Sequence, residues 1–158
     1  MNEVLFNNDA QDKIIAGVNK VANAVKLTLG PKGRNAIIKR DGRTPLITND
    51  GITIANSISD TDDIINMGCE IARDSASKTN NSAGDGTTTT IVLEQAFIQA
   101  GKKLLDAGRN PMDLRRDLEK ASKQVIDEIK ARTVVEPSAS QLKAIASISV
   151  ESEEIGGA

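Results

Sequence analysis

Apolar residues recur at helical spacing over most of this chain, and that periodicity restricts it to a largely helical fold. Ile14, Ile15, Val18, Val21, Ala22 and Val25 keep a 3.6-residue stripe up to about Leu27, where Gly30-Pro31 supplies a stop. Asn8 with Gln11 three residues later resembles a capping box and predicts the start of that helix, after a short extended segment at Val4-Leu5-Phe6. A second helical face runs from Asp60 to about Lys78 through Ile64, Ile65, Met67, Gly68, Ile71, Ala72 and Ala76, whose small residues permit close packing. A third carries Ile91, Val92, Leu93, Ala96, Phe97, Ala100, Leu104 and Leu105, and closes at Gly108. Asn110 caps a fourth, with Pro111 at its first position and Met112, Leu114, Leu118, Ala121, Val125, Ile126 and Ile129 as its buried stripe. Ser138 and Gln141 predict one more capping box, opening a helix through Leu142, Ile145, Ala146 and Ile148. Between the first two helices, Asn35-Ala36-Ile37-Ile38-Lys39 and Leu46-Ile47-Thr48 flank Asp41-Gly42, a hairpin signal, and Ile52-Thr53-Ile54 reads as a third extended piece. The expected fold is therefore mainly α, a helical bundle with a small β-hairpin near its start.

Composition narrows the chemistry more than the fold. The 158 residues include two Phe and neither Trp nor Tyr, so the core is aliphatic and no aromatic stacking platform exists. A net charge of −2, with Lys and Arg dispersed, gives no electrostatic footprint for nucleic acid. With no His and a single cysteine, Cys69, the chain has no internal disulfide, Cys/His zinc site or His-based triad. Neither a charged-then-apolar leader nor an apolar run approaching ~20 residues is present, so the expectation is no membrane span and a cytoplasmic location. The remaining chemical tools are Asp, Thr, Lys, backbone groups and metal.

Gly84-Asp85-Gly86-Thr87-Thr88-Thr89-Thr90 opens the third helix with residues that helices usually avoid. Hydroxyls and unpartnered N–H groups at a helix N-terminus suit a phosphate. A carboxylate such as Asp85 coexists with phosphate only when a cation lies between them, and hard oxygen ligands of this kind suit Mg²⁺. The same residues also read as an Asp/Thr cap after a Gly turn. Thr28-Leu29-Gly30-Pro31-Lys32-Gly33 offers a second phosphate contact, its glycines freeing the backbone for close approach, although Gly then Pro is also ordinary helix termination. It is not a P-loop, because the G-x-x-x-x-G-K-[ST] spacing occurs nowhere. Thr48-Asn49-Asp50-Gly51 places a carboxylate in a tight Asx-Gly turn, where Asp50 is a candidate general base or water-orienting group if the turn folds back toward Asp85.

In this order and spacing, the three elements closely resemble the N-terminal part of a group I chaperonin, the bacterial and organellar ring-forming folding machine. The similarity extends from Phe6-Asn7-Asn8-Asp9-Ala10 through Gly17-Val18-Asn19, Asn66-Met67-Gly68 and Asn110-Pro111-Met112-Asp113-Leu114 to Ile148-Ser149. The resemblance implies an equatorial-domain helical bundle that binds ATP with Mg²⁺. Residues 1–133 would form the N-terminal half of that domain, and 134–158 its last helix and the start of an intermediate-domain segment. Thr28, Leu29, Gly30 and Pro31 would line the nucleotide, Gly86, Thr87, Thr88 and Thr89 would hold its phosphates, and Asp85 would bind the metal. Asp50 would sit near the γ-phosphate and assist attack by water, with Ile148 and Ser149 close to the adenosine. Other chaperonin subunits would dock on residues 4–6 and on the hairpin at 35–48. Asn49 stands where the family usually has Lys, which removes a positive charge expected beside phosphate. The apical domain, which would bind unfolded clients and a co-chaperonin, and the C-terminal equatorial half have no counterpart here, so the expectation is a fragment or truncated product. The alternative is a non-hydrolysing module that only contacts other subunits.

Overall fold

Val18, Val21, Ala22 and Val25 fall on one face of α1 (Asn7–Val25), and all four are completely shielded from solvent. The computed structural model describes residues 7–149 and 154, and they form two compact units that divide at Arg109 and Asn110. In the first unit, α1 leads through a 3-10 turn (Lys26–Thr28) to β1 (Ala36–Ile38), β2 (Leu46–Thr48), α2 (Gly51–Asn56), α3 (Asp63–Ala83) and α4 (Thr87–Asp106). The buried stripe of α1 packs with Ile54 and Ala55 of α2, Cys69, Ala72 and Ala76 of α3, and Ile91 of α4. Each of the larger aliphatics so buried contributes about 1.5–3 kcal/mol.

Small residues set how closely α1 and α3 approach. A Cβ at Gly17 would overlap the carbonyl oxygen of Ile65 and lie 2.8 Å from the Cys69 nitrogen, while one at Gly68 would overlap the carbonyl oxygen of Ile14. The two backbones therefore touch at a crossing that only glycine permits, and Cys69 Sγ donates across it to Gly17 O at 3.5 Å. Polar groups fix the same pair of helices at one end. Asp62 caps α3 by accepting from Ile64 N and Ile65 N, at 3.0 and 3.1 Å, and it pairs with Lys13 of α1 at 2.6 Å. Lys20 reaches Asp60 at 2.7 Å. The lysine hydrogen bonds hold both carboxyls below the usual carboxylate range.

The hairpin forms as expected, with Ala36 opposite Thr48, Ile37 opposite Ile47 and Ile38 opposite Leu46. Ala36 and Ile38 pack on the core, whereas the cross-strand pair Ile37 and Ile47 faces solvent, 74% and 64% exposed. Three expectations need correction. Ile52-Thr53-Ile54 is helical, because Asp50 caps the segment and Ile54 and Ala55 gain core contacts that outweigh the strand preference of β-branched residues. Asn8 lies inside α1 rather than at its cap, since the helix already includes Asn7; Val4-Leu5-Phe6 lies outside the described residues. α3 also outlasts its apolar stripe, with Thr79 Oγ1 and Ser82 Oγ bonding the carbonyls of Ser75 and Thr79, and ends at Gly84 in the left-handed region at φ 72°.

In the second unit, α5 (Pro111–Arg132) begins as anticipated: Asn110 Oδ1 accepts from Met112 N at 2.8 Å and from Asp113 N at 3.3 Å. α6 (Ala139–Ser149) opens on a reciprocal box, Ser138 N to Gln141 Oε1 at 2.8 Å and Gln141 N to Ser138 Oγ at 3.3 Å. The stripe assigned to the interior of α5 is not buried, and Met112, Val125 and Ile129 are each more than half exposed. Periodicity identifies which face of a helix is apolar, not whether anything covers it.

Candidate functional site

Each of the three turns singled out in the sequence closes on itself by local hydrogen bonds. After the 3-10 turn, where Thr28 Oγ1 donates to Val25 O at 2.8 Å, Gly30 adopts φ 81° and Gly33 N donates to Gly30 O at 2.8 Å. Pro31 stands at the second position of that β-turn, where its fixed φ is favoured. Arg34 N returns to Leu27 O at 2.8 Å, so the loop is a tight reversal that leaves Leu29, Gly30 and Pro31 facing solvent.

The second turn places a carboxylate at a helix start. Asp50 N donates to Thr48 Oγ1 at 3.0 Å, and Asp50 Oδ2 accepts from both the amide and the hydroxyl of Thr53. Thr53 thereby orients the Asp50 carboxylate at the N-terminus of α2, with Asn49 exposed beside it.

The third turn is the most unusual. Gly84 and Gly86 both take left-handed backbone, at φ 72° and 86°, and Asp85 between them accepts from Gly86 N at 2.6 Å through Oδ1. α2, α3 and α5 each start with a side-chain cap, but α4 starts on Gly86, which has none. The first N–H groups of α4 thus meet no capping side chain, beside an exposed carboxylate and the hydroxyls of Thr87, Thr88 and Thr89. Farther in, Thr79 and Thr90 hydroxyls pair at 3.0 Å and hold the end of α3 to the start of α4.

Gly51 lies where the second and third turns meet the end of α1. It is buried, and a Cβ there would overlap Thr88 Oγ1 and lie 3.3 Å from both Thr87 Oγ1 and Val25 Cγ1. The start of α2, the start of α4 and the end of α1 therefore converge, and the 3-10 turn that leads to Leu29 packs against α4. The sequence marks Gly51 only as the glycine of an Asx-Gly turn; its role in packing follows from contact across three elements. Ile148 and Ser149 are exposed residues of α6, in the second unit.

No cluster of three or more His, Cys, Asp or Glu occurs among the described residues. Asp85 as a lone exposed carboxylate nonetheless fits Mg²⁺, which keeps several waters and takes one or two protein carboxylates together with phosphate oxygens. The uncapped N-terminus of α4 fits those phosphates.

A separate groove of about 430 Å³ lies beside the α3–α4 contact, lined by Ser75, Thr90, Leu93, Glu94, Phe97 and Ile98. Glu94 Oε2 is buried without a hydrogen-bond partner among the described residues. Burial pushes the Glu94 carboxyl above its ordinary 4.5, opposed by a Ser75 hydrogen bond and reinforced by Asp74. The folded state therefore holds this proton more tightly than the unfolded state, and the Glu94 contribution to stability falls as pH rises from about 4.5 through the raised value. Glu94→Gln is predicted to melt higher than wild type at pH 7, with the difference closing toward pH 4. Parallel thermal unfolding curves test this, and a gap independent of pH would contradict it.

The sequence of residues 21–157 matches the TCP-1/cpn60 chaperonin family. That span contains all three turns, the hairpin, the last residues of α1 and every described helix after it. With most of its length inside the match, this chain belongs to the TCP-1/cpn60 chaperonin family.

Proposed function

We propose that this chain is the Mg²⁺- and ATP-binding part of a group I chaperonin, in which nucleotide binding and hydrolysis drive the folding of client polypeptides in a ring. The observation that supports the reading is the approach, at Gly51, of the start of α2 to the uncapped start of α4 and to the end of α1. In this reading the N–H groups and hydroxyls of Gly86 to Thr89 hold the phosphates, where the helix dipole favours negative charge. Thr28, Leu29, Gly30 and Pro31 line the nucleotide from the turn after α1. Mg²⁺, when bound, neutralises phosphate charge and is held by Asp85. Asp50, oriented by Thr53, accepts a hydrogen bond from the attacking water near the γ-phosphate. Asn49 contributes no positive charge beside it, so hydrolysis is expected to be slower than with a lysine at that position.

Hydrogen exchange locates the ligand directly. Saturating Mg-ATP is expected to slow exchange at the Thr87, Thr88 and Thr89 amides and at Leu29 and Gly30, with inorganic phosphate alone protecting only the first group. Unchanged exchange at both turns would overturn the assignment.

The hairpin suits a different task. The exposed Ile37–Ile47 pair and a two-stranded sheet that no further strand joins among the described residues fit addition to a neighbouring subunit's strands. Ile37→Lys with Ile47→Lys is predicted to lower the assembled mass in light scattering while leaving the helical circular dichroism intact. An unchanged mass would remove the hairpin from the subunit contact.

A further inference from the structure

Two polar side chains are buried among the described residues, Thr87 and Gln95. Thr87 belongs to the convergence above. Gln95 lies two turns farther along α4, about 12 Å from it at 1.5 Å per residue, and is 8% exposed. Its Nε2 donates to two acceptors on α1, Asn19 Oδ1 at 2.7 Å and Asn23 Oδ1 at 3.2 Å. Those asparagines are one helical turn apart, so a single amide grips α1 across a full turn. Gln99 Nε2 adds a second bond to Asn19 Oδ1 at 2.8 Å. Asn23 Oδ1 also accepts from Lys26 Nζ, and Lys26 opens the 3-10 turn that ends at Thr28.

Aliphatic contact alone does not set this geometry. The Val18, Val21, Val25 and Ile91 packing is non-directional and tolerates small sliding of one helix along another. Hydrogen bonds weaken steeply outside a narrow range of distance and angle. A buried amide that loses both acceptors leaves donors unsatisfied, so the α1–α4 register with Gln95 bonded is strongly preferred. Register matters because α1 delivers the Thr28–Pro31 turn and α4 delivers Gly86 to Thr89. A slip of one residue moves one turn by about 1.5 Å relative to the other.

We propose that Gln95, Asn19 and Asn23 are positioning residues that set the axial register of α1 against α4, and with it the spacing between the Thr28–Pro31 turn and the N-terminus of α4. The role of that spacing in ligand binding rests on the nucleotide reading above; the register itself does not.

Three variants of the full chain test this. Asn23 is exposed, so Asn23→Leu removes an acceptor without opening the core, and Asn23→Asp retains one. Gln95→Leu keeps an apolar filling but no donor. Without nucleotide, the Leu29 and Arg34 amides, which bond Lys26 O and Leu27 O, should exchange about threefold to tenfold faster in both Leu variants, with Asn23→Asp near wild type. Mg-ATP affinity should fall by a similar factor in the same two variants, while the melting temperature of Asn23→Leu stays near wild type. Should Gln95→Leu fail to fold, Asn23→Leu with its Asp rescue decides alone. Unchanged exchange at Leu29 and Arg34 in Asn23→Leu would overturn the proposal. Faster exchange in a chain whose wild type binds no Mg-ATP would support the register device and defeat the nucleotide reading instead.

Discussion

Gly17→Ala lowers the melting temperature of the first unit by about 10 °C or more. The new Cβ would overlap the Ile65 carbonyl, which belongs to α3 backbone and yields only if the two helices separate. Overpacking of this kind costs about 1–3 kcal/mol and sometimes more, while Ala in place of a mid-helix Gly returns about 0.5–1 kcal/mol. The steric term wins because separation also loosens the core that Val18 and Val21 share with Cys69 and Ala72. At about 4–8 °C per kcal/mol for a unit of this size, a net loss of about 2 kcal/mol gives the stated shift. Gly68→Ala should behave alike, since its Cβ would meet the Ile14 carbonyl from the other side of the crossing. Circular dichroism melts measure both. A melting temperature at or above wild type for either variant would mean that α1 and α3 do not touch at these glycines.

Asp85→Ala is expected to weaken Mg-ATP binding by about 100-fold or more while barely changing stability. Asp85 is exposed, and within the fold it makes one short bond, to the following Gly86 amide. Its loss therefore leaves the packing at Gly51 and Thr88 intact. A carboxylate that holds the metal matters at least as much as the outer-sphere partners whose removal costs about 10–100-fold. Residual binding through the α4 N-terminus should be insensitive to Mg²⁺. Titration of the variant with ATP at fixed Mg²⁺ reads this directly, and undiminished Mg²⁺-dependent binding would remove Asp85 from the metal.

Much of the fold is legible in local sequence, because caps and left-handed glycines are local devices. Asn110 with Pro111, Ser138 with Gln141, and the Gly84–Gly86 turn all act as their residue types predict. Two of the failures share one cause, which is tertiary context. Ile52-Thr53-Ile54 looks like a strand by propensity, but the Asp50 cap and core contacts of Ile54 make it helical. The apolar stripe of α5 announces a face without announcing a cover. Of the site, the three turns and their residue types can be read from spacing alone. The approach of the α2 and α4 starts cannot, since it depends on Gly51 admitting Thr87 and Thr88 hydroxyls into space that a side chain would fill. Gln95 is illegible for a similar reason: one amide among apolar neighbours gives no sign of its acceptors 72 and 76 residues earlier.

The central claim, that these turns form a Mg-nucleotide site, is tested most directly by calorimetric titration of the chain with ATP, with and without Mg²⁺. The chain is predicted to bind ATP saturably at one site, with affinity that drops sharply when Mg²⁺ is removed. A chain that retains its helical circular dichroism yet shows no saturable Mg²⁺-dependent heat would contradict the claim.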